Sequence, residues 1–134
     1  MNLFFQRLGE GPPLLIFHGL FGSLDNWRTH AKQLSRHFTV YSVDLRNHGH
    51  SPHAERFDYP AMAADVIQLI DDEDLPPVIA LGHSMGGKVV MQLANDAPEL
   101  LEKIIVAAWR GRCLLGSAHS GRADSAILAE GPEA

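Results

Sequence analysis

The sequence LGHSMGG, at residues 81–87, places one serine between glycines directly after an apolar stretch. This pattern is typical of a strand that turns sharply into a helix, because glycine avoids collisions with neighbouring backbone at such a turn. The turn would expose the hydroxyl of Ser84 and aim the amide of Met85 at a carbonyl oxygen bound beside it. The residues therefore favour nucleophilic attack by Ser84 on a carbonyl group.

A second backbone donor is available in HGLFGS, at residues 18–23, a glycine-rich loop that also follows an apolar run. Gly19 lets the chain approach closely, so the amide of Leu20 can reach the same oxygen as the amide of Met85. Two such amides form an oxyanion hole, in which one donor contributes about 2.7–4 kcal/mol to transition-state stabilisation.

Other polar and small residues beside these loops are expected to support the site. His18 is expected to anchor the first loop through hydrogen bonds to the backbone, and Asp44 and Arg46 to hold neighbouring loops through charge-assisted hydrogen bonds. The side chain of His83 should point away from Ser84, so it is not expected to be the catalytic base. The supporting residues predicted in this way are His18, Gly19, Gly82, His83, Gly86, Asp44, Arg46 and His48.

Two alternative interpretations concern residues in the same loops. Ser84 could simply cap the helix that follows it, which is a common role of serine. His48, His50 and His53 could bind a metal, but their spacing matches no zinc signature and no cysteine or carboxylate lies at ligand spacing beside them. We therefore predict no metal and no cofactor.

The elements that position these loops are read from the hydrophobic pattern. Continuous apolar runs predict buried strands, and apolar residues spaced by three and four predict helices between them. Such alternation predicts right-handed crossovers and a three-layer α/β architecture with a mostly parallel sheet. The predicted strands lie at 3–8, 14–19, 38–45, 76–84 and 102–108, and the predicted helices at 23–37, 59–71 and 86–101.

Composition excludes several classes of function. The 11 basic residues among 134 are scattered and the net charge is −5, so no nucleic-acid surface is expected. The longest apolar runs are far shorter than the roughly 18 residues of a membrane span. No secretory signal is visible and Cys113 is the single cysteine, so no disulfide framework and a cytoplasmic location are expected.

Four motifs in this order resemble the α/β-hydrolase superfamily, and within it the YbfF-type esterases. The resemblance covers residues 1–107 and implies a carboxylesterase or thioesterase with the α/β-hydrolase fold. It implies Ser84 as the nucleophile, the amides of Leu20 and Met85 as oxyanion donors, and a small acyl ester or thioester as substrate. The motifs are HGLFGSLDNW, DLRNHGHS, YPAMAADV and GHSMGGKVVM.

After residue 107 the sequence departs from the pattern of that family. A triad in this fold follows the order serine, acid, histidine, and the position of the expected acid is occupied by Ala108. His119 and Asp124 follow Ser84 in the correct order but lack the strand context that would aim them. We therefore expect residues 108–134 to be an atypical, irregular tail produced by truncation or a shifted reading frame.

Three further expectations remain open at this point. Without acid and base, the chain could be a non-catalytic remnant that binds a small acyl ligand or fails to fold alone. Carbon–carbon bond hydrolases and haloperoxidases share the fold and also use serine, whereas dehalogenases and epoxide hydrolases carry aspartate at the position of Ser84. A sheet that stops after its fifth or sixth strand would expose an apolar edge, which predicts self-association.

Overall fold

The computed structural model describes residues 1–107, 112–117 and 127–130. The strands are β1 (Phe5–Leu8), β2 (Pro13–Phe17), β3 (Thr39–Val43), β4 (Val78–His83), β5 (Leu101–Ala107), β6 (Arg112–Ser117) and β7 (Ile127–Glu130). The helices are α1 (Arg28–Leu34), α2 (Tyr59–Asp72) and α3 (Met85–Asp96), with short 3₁₀ turns at Leu24–Trp27 and Pro98–Leu100.

The described strands form one sheet in the order β1-β3-β2-β4-β5-β6-β7. The four central strands, β3, β2, β4 and β5, run parallel, and β1, β6 and β7 pair antiparallel. Every residue of β2 and β3 is buried, as expected for strands covered on both faces. The predicted three-layer α/β fold with a mostly parallel core is confirmed.

The two faces of the sheet pack against different helices, which explains the continuous apolar runs. On β2, Leu15 and Phe17 face the larger core with α2 and α3, whereas Leu14 and Ile16 face a smaller core with Ala31 of α1. Successive side chains of a strand point to opposite faces, so both sets must be apolar. This packing fixes the ends of β2 and β4, where the candidate site lies.

The first predicted helix is shorter than expected. Ser23 accepts a hydrogen bond from the amide of Asp25 while the side chain of Asn26 accepts one from the amide of Ser23. These bonds stabilise a 3₁₀ turn at Leu24–Trp27, and the regular helix α1 begins only at Arg28. Local side-chain bonds to the backbone thus compete with the first turn of the helix.

Strands β6 and β7 lie in the segment for which the sequence predicts no regular structure. β6 pairs with β5 from Lys103↔Ser117 to Ala107↔Cys113, and β7 pairs with β6. The free N–H and C=O groups of an edge strand can bind any extended segment, so pairing does not require an alternating pattern. The edge of β5 is therefore covered, and β1 and β7 form the edges of the described sheet. Self-association through an edge stays a prediction.

The helices of the described residues are short. The longest is α2, with 14 residues, and none of them has the length and apolar character needed to cross a bilayer.

Candidate active site

Ser84 occupies the single residue between β4 and α3 and has a strained backbone. Its φ of 54° and ψ of −113° are unfavourable for any residue with a Cβ. The side chain is exposed and makes no capping hydrogen bond to α3. The amide of Ser84 instead donates to the carbonyl oxygen of Ala107 at 3.1 Å, which ties the turn to the end of β5. The structure contradicts the helix-capping interpretation of Ser84.

The glycines around Ser84 are required by close backbone packing. A Cβ at Gly82 would lie 2.2 Å from the carbonyl oxygen of Gly86, and a Cβ at Gly86 would lie 2.3 Å from the carbonyl oxygen of Phe17. Real Cβ atoms do not approach backbone so closely, so both positions need glycine. The start of α3 therefore lies directly on the end of β2.

The loop at residues 18–23 lies beside this turn. A Cβ at Gly19 would lie 3.5 Å from the Cβ of Ser84, and the amide of Gly22 donates to the carbonyl oxygen of Gly19 at 3.0 Å. Among the described residues, the amides of Leu20 and Met85 form no hydrogen bond within the protein. The loop thus packs beside the turn that carries Ser84, and the amides of Leu20 and Met85 as oxyanion donors stay a prediction.

His18 anchors the loop at residues 18–23 through two hydrogen bonds to the backbone. Its Nε2 accepts a hydrogen bond from the amide of Leu45 at 3.0 Å, so the proton of the neutral ring is on Nδ1, which donates to the carbonyl oxygen of Gly19 at 2.7 Å. Burial lowers the pKa of His18, and the neighbouring His48 lowers it further. A neutral His18 therefore links the loop to the end of β3, as the sequence suggests.

The loop at residues 44–51 is organised by the carboxylate of Asp44. Oδ1 accepts from the amide of Leu24 at 2.8 Å and Oδ2 accepts from the amide of His50 at 2.9 Å. Gly49, with φ of +51°, lies so close that a Cβ there would be 2.2 Å from Oδ2. Asp44 is thus enclosed by backbone and joins this loop to the 3₁₀ turn before α1.

Arg46 is held by a buried residue that the sequence analysis did not single out. Its Nε and a terminal nitrogen donate to the two carboxylate oxygens of Asp65 on α2 at 2.7 and 2.8 Å. These hydrogen bonds raise the pKa of the Arg46 guanidinium. The signal for Asp65 was an acidic residue in YPAMAADV between Met62 and Val66, on the apolar face of α2.

His83 and His48 both have neighbours other than Ser84, and the orientation of His83 away from Ser84 stays a prediction. The ring of His83 lies 6.1 Å from that of Trp27, and its Nδ1 is 3.3 Å from the position of a Cβ on Gly19. His48 uses Nδ1 to bind the carbonyl oxygen of Arg46 and Nε2 to accept from the amide of Phe21. With both nitrogens engaged, His48 has no lone pair free for a metal. Ala108, His119 and Asp124 lie outside the described residues.

A groove of about 370 Å³ opens between the two loops. Its apolar walls are Leu20, Phe21 and Phe57, which are 52%, 92% and 44% exposed. Exposed apolar side chains of this size are typical of surfaces that contact ligands or other chains. Leu20 lines the groove and carries one of the predicted oxyanion amides, whereas Ser84 is not among the residues that line the groove.

The strain at Ser84 leads to a stability prediction. Ser84→Gly should raise the free energy of unfolding by about 1 kcal/mol, because relief of about 1–3 kcal/mol of strain outweighs the entropy of glycine in the unfolded chain. Ser84→Ala keeps the Cβ and serves as the control, with little change expected. Urea denaturation measures both, and a glycine variant less stable than the alanine variant would contradict this prediction.

A sharp strand-to-helix turn carrying an exposed serine, on a parallel sheet covered by helices, defines the α/β-hydrolase class. The family described as alpha/beta hydrolase fold matches residues 12–129, and the chain belongs to this family. The predicted resemblance is thereby confirmed.

Known relatives include a putative esterase/lipase of Haemophilus influenzae, 50% identical over 71% of this chain and 33% of the relative. Esterase YbfF of Escherichia coli is 42% identical over 75% of this chain and 39% of the relative. The solved structure of a marine microorganism esterase superposes with a TM-score of 0.78 at 45% identity, covering 83% of this chain and 43% of that chain. The chain thus spans about a third of the length of the relatives from these two bacteria.

Proposed function

We propose that this chain carries the nucleophile and the oxyanion hole of a carboxylic ester hydrolase, with Ser84 as the nucleophile. The observation that carries the proposal is the conformation of Ser84, whose exposed side chain stands at a strained turn and caps no helix. Strain of this kind persists where the surrounding structure enforces it, and it is found at reacting groups. The esterase names of the relatives support the same class of reaction.

The reaction proceeds through an acyl-enzyme. The Oγ of Ser84 attacks the carbonyl carbon while its proton passes to a base, and the carbonyl oxygen becomes an oxyanion that accepts hydrogen bonds from the amides of Leu20 and Met85. The alcohol or thiol then leaves with a proton, and water releases the acid in a second attack. Removal of one amide donor is expected to cost about 2.7–4 kcal/mol.

The base and its orienting acid must come from outside the described residues. Within residues 1–107, no hydrogen bond joins the hydroxyl of Ser84 to a histidine or a carboxylate. His18 and His48 are committed to backbone groups, so neither is free to accept the proton of Ser84. Without a base the serine is weakly nucleophilic, and the non-catalytic acyl-ligand binder is the alternative outcome.

The substrate is a small acyl ester or thioester whose apolar group lies against Leu20. The groove walls Phe21 and Phe57 offer apolar surface and no charged partner, which suits a hydrocarbon group and not an ionised one. No step of this reaction requires a metal or an organic cofactor.

Chemical labelling tests the proposal directly. The purified chain is incubated with a fluorophosphonate probe and, separately, with a short-chain p-nitrophenyl ester. Any labelling and ester turnover by the chain should depend on Ser84 and be abolished in Ser84→Ala, because the probe bonds only to an activated hydroxyl.

Ser35→Ala is the matched control. Ser35 lies at the end of α1 and bonds to the carbonyl oxygen of Lys32, so its loss should leave labelling unchanged. Turnover that persists in Ser84→Ala would refute the nucleophile. A folded chain that binds a short acyl ligand but neither labels nor turns over ester would favour the non-catalytic binder.

A further inference from the structure

The peptide that joins Leu20 to Phe21 has an unusual conformation for its sequence. Phe21 has φ of 60°, in the left-handed region that disfavours aromatic side chains, and its ring is 92% exposed. A ring with so little contact cannot hold the backbone in a strained state. The restraint must therefore come from the main chain of this loop.

That restraint is a hydrogen bond to a buried histidine. The amide of Phe21 donates to Nε2 of His48 at 3.1 Å, and Nδ1 of His48 lies 2.9 Å from the carbonyl oxygen of Arg46. Because Nε2 accepts, the ring is neutral and carries its proton on Nδ1. His48 thus binds one backbone group of each loop and joins the two loops across the groove.

The ring of His48 is itself fixed on several sides. It lies 5.0 Å from the ring of His18 and 5.8 Å from that of Phe57. The charged and titratable groups around it are His18 on the first loop and Asp44, Arg46 and His50 on its own loop. The carboxylate of Asp44 is bound by two amides, and the guanidinium of Arg46 is bound by Asp65 of α2, so neither competes for Nε2.

We propose that His48 is a positioning residue that fixes the Leu20–Phe21 peptide by binding the amide of Phe21. Of the two successive amides in this loop, that of Phe21 donates to His48. The amide of Leu20 remains free to donate to the oxyanion. The second part of this statement rests on the proposed function, whereas the hydrogen bond and the tautomer do not. Protonation of His48 removes the lone pair of Nε2 and must break the bond to Phe21.

The test reads the tautomer and the amide directly, without turnover. In the unmodified chain labelled with ¹⁵N, long-range ¹H–¹⁵N spectra should show His48 with a protonated Nδ1 and an unprotonated Nε2. The amide of Phe21 should exchange with solvent slowly in spite of its exposed side chain, and the amide of Leu20 should exchange fast.

Two substitutions separate the two hydrogen bonds of His48. His48→Gln can place an amide oxygen near the position of Nε2 and should keep the Phe21 amide protected. His48→Asn can reach the carbonyl oxygen of Arg46 but not Phe21, and it should speed exchange of the Phe21 amide by about tenfold or more. His50→Gln, in the same loop and packed edge-to-face against Phe4, is the matched control and should leave both amides unchanged.

The proposal is overturned if His48 in the unmodified chain carries its proton on Nε2. It is equally overturned if the Phe21 amide exchanges as fast as that of Leu20 before any substitution. Both measurements use the unmodified chain, so a variant that fails to fold leaves the proposal falsifiable. Loss of labelling at Ser84 with an intact His48–Phe21 bond would instead refute only the proposed function.

Discussion

Gly86→Ala is expected to abolish the native fold or to lower the free energy of unfolding by about 4 kcal/mol or more. The new Cβ would lie 2.3 Å from the carbonyl oxygen of Phe17 and 2.7 Å from that of His18. Both are backbone atoms at the end of β2. Because β2 is paired on both sides, by β3 and β4, its backbone cannot move away from the new Cβ. The helix must therefore move away from the sheet.

The neighbouring glycines provide a graded comparison. Gly82→Ala meets the carbonyl oxygen of Gly86 at 2.2 Å and should be as damaging as Gly86→Ala. Gly87→Ala meets the Cγ1 of Val106 at 2.7 Å and the carbonyl oxygen of Gly82 at 3.3 Å, which is a milder backbone conflict than at Gly86, and it gains about 1 kcal/mol in helix propensity. Urea denaturation followed by circular dichroism measures the series. A Gly86→Ala variant as stable as Gly87→Ala would disprove the close packing of α3 on β2.

Asp65→Ala is expected to lower the free energy of unfolding by about 3–5 kcal/mol, because it leaves the buried guanidinium of Arg46 without its carboxylate. The pair is bidentate and only 10% and 3% of the two side chains is exposed. Removal of both charges should cost less than removal of one, so Arg46→Met combined with Asp65→Leu should recover much of the loss. Chemical denaturation of Arg46→Met, Asp65→Leu and the double variant completes the cycle.

A surface ion pair in the same region is the control for that cycle. Arg56 and Asp58 also bond through Nε and a carboxylate oxygen, but 67% and 44% of their side chains is exposed. Arg56→Ala keeps the carbonyl group that accepts from Arg46 and should change stability little, because water screens the lost charge. If Asp65→Ala were as mild as Arg56→Ala, the burial of the Arg46–Asp65 pair would not matter to folding.

Local patterns predicted the parts of the fold that depend on neighbouring residues. LLIF has no polar residue, the only polar side-chain groups of TVYSV are hydroxyls, and both segments form buried central strands. The glycines around Ser84 indicated a sharp turn, and the structure forms it with φ of 54°. Each of these features depends on a few consecutive residues, so the sequence of one short segment is enough to predict it.

Contacts between distant segments could not be predicted in the same way. Arg46 was expected to hold a neighbouring loop, but its main partner is Asp65, 19 residues later on a helix. The bond between His48 and the amide of Phe21 spans 27 residues and involves a backbone group that no side-chain pattern reports. Which loops meet depends on the order of strands in the sheet, and that order follows from packing of the whole domain.

The contact between α3 and the end of β2 also determines which parts of the site can be redesigned. Main chain touches main chain there, so no rotamer can absorb a change, and the position of Ser84 relative to the end of β2 is set by backbone packing. The groove walls, in contrast, are the side chains of Leu20, Phe21 and Phe57, and they can be exchanged without disturbing that packing. If the proposed function holds, libraries at these three positions should alter which ester is accepted while the backbone around Ser84 stays constant.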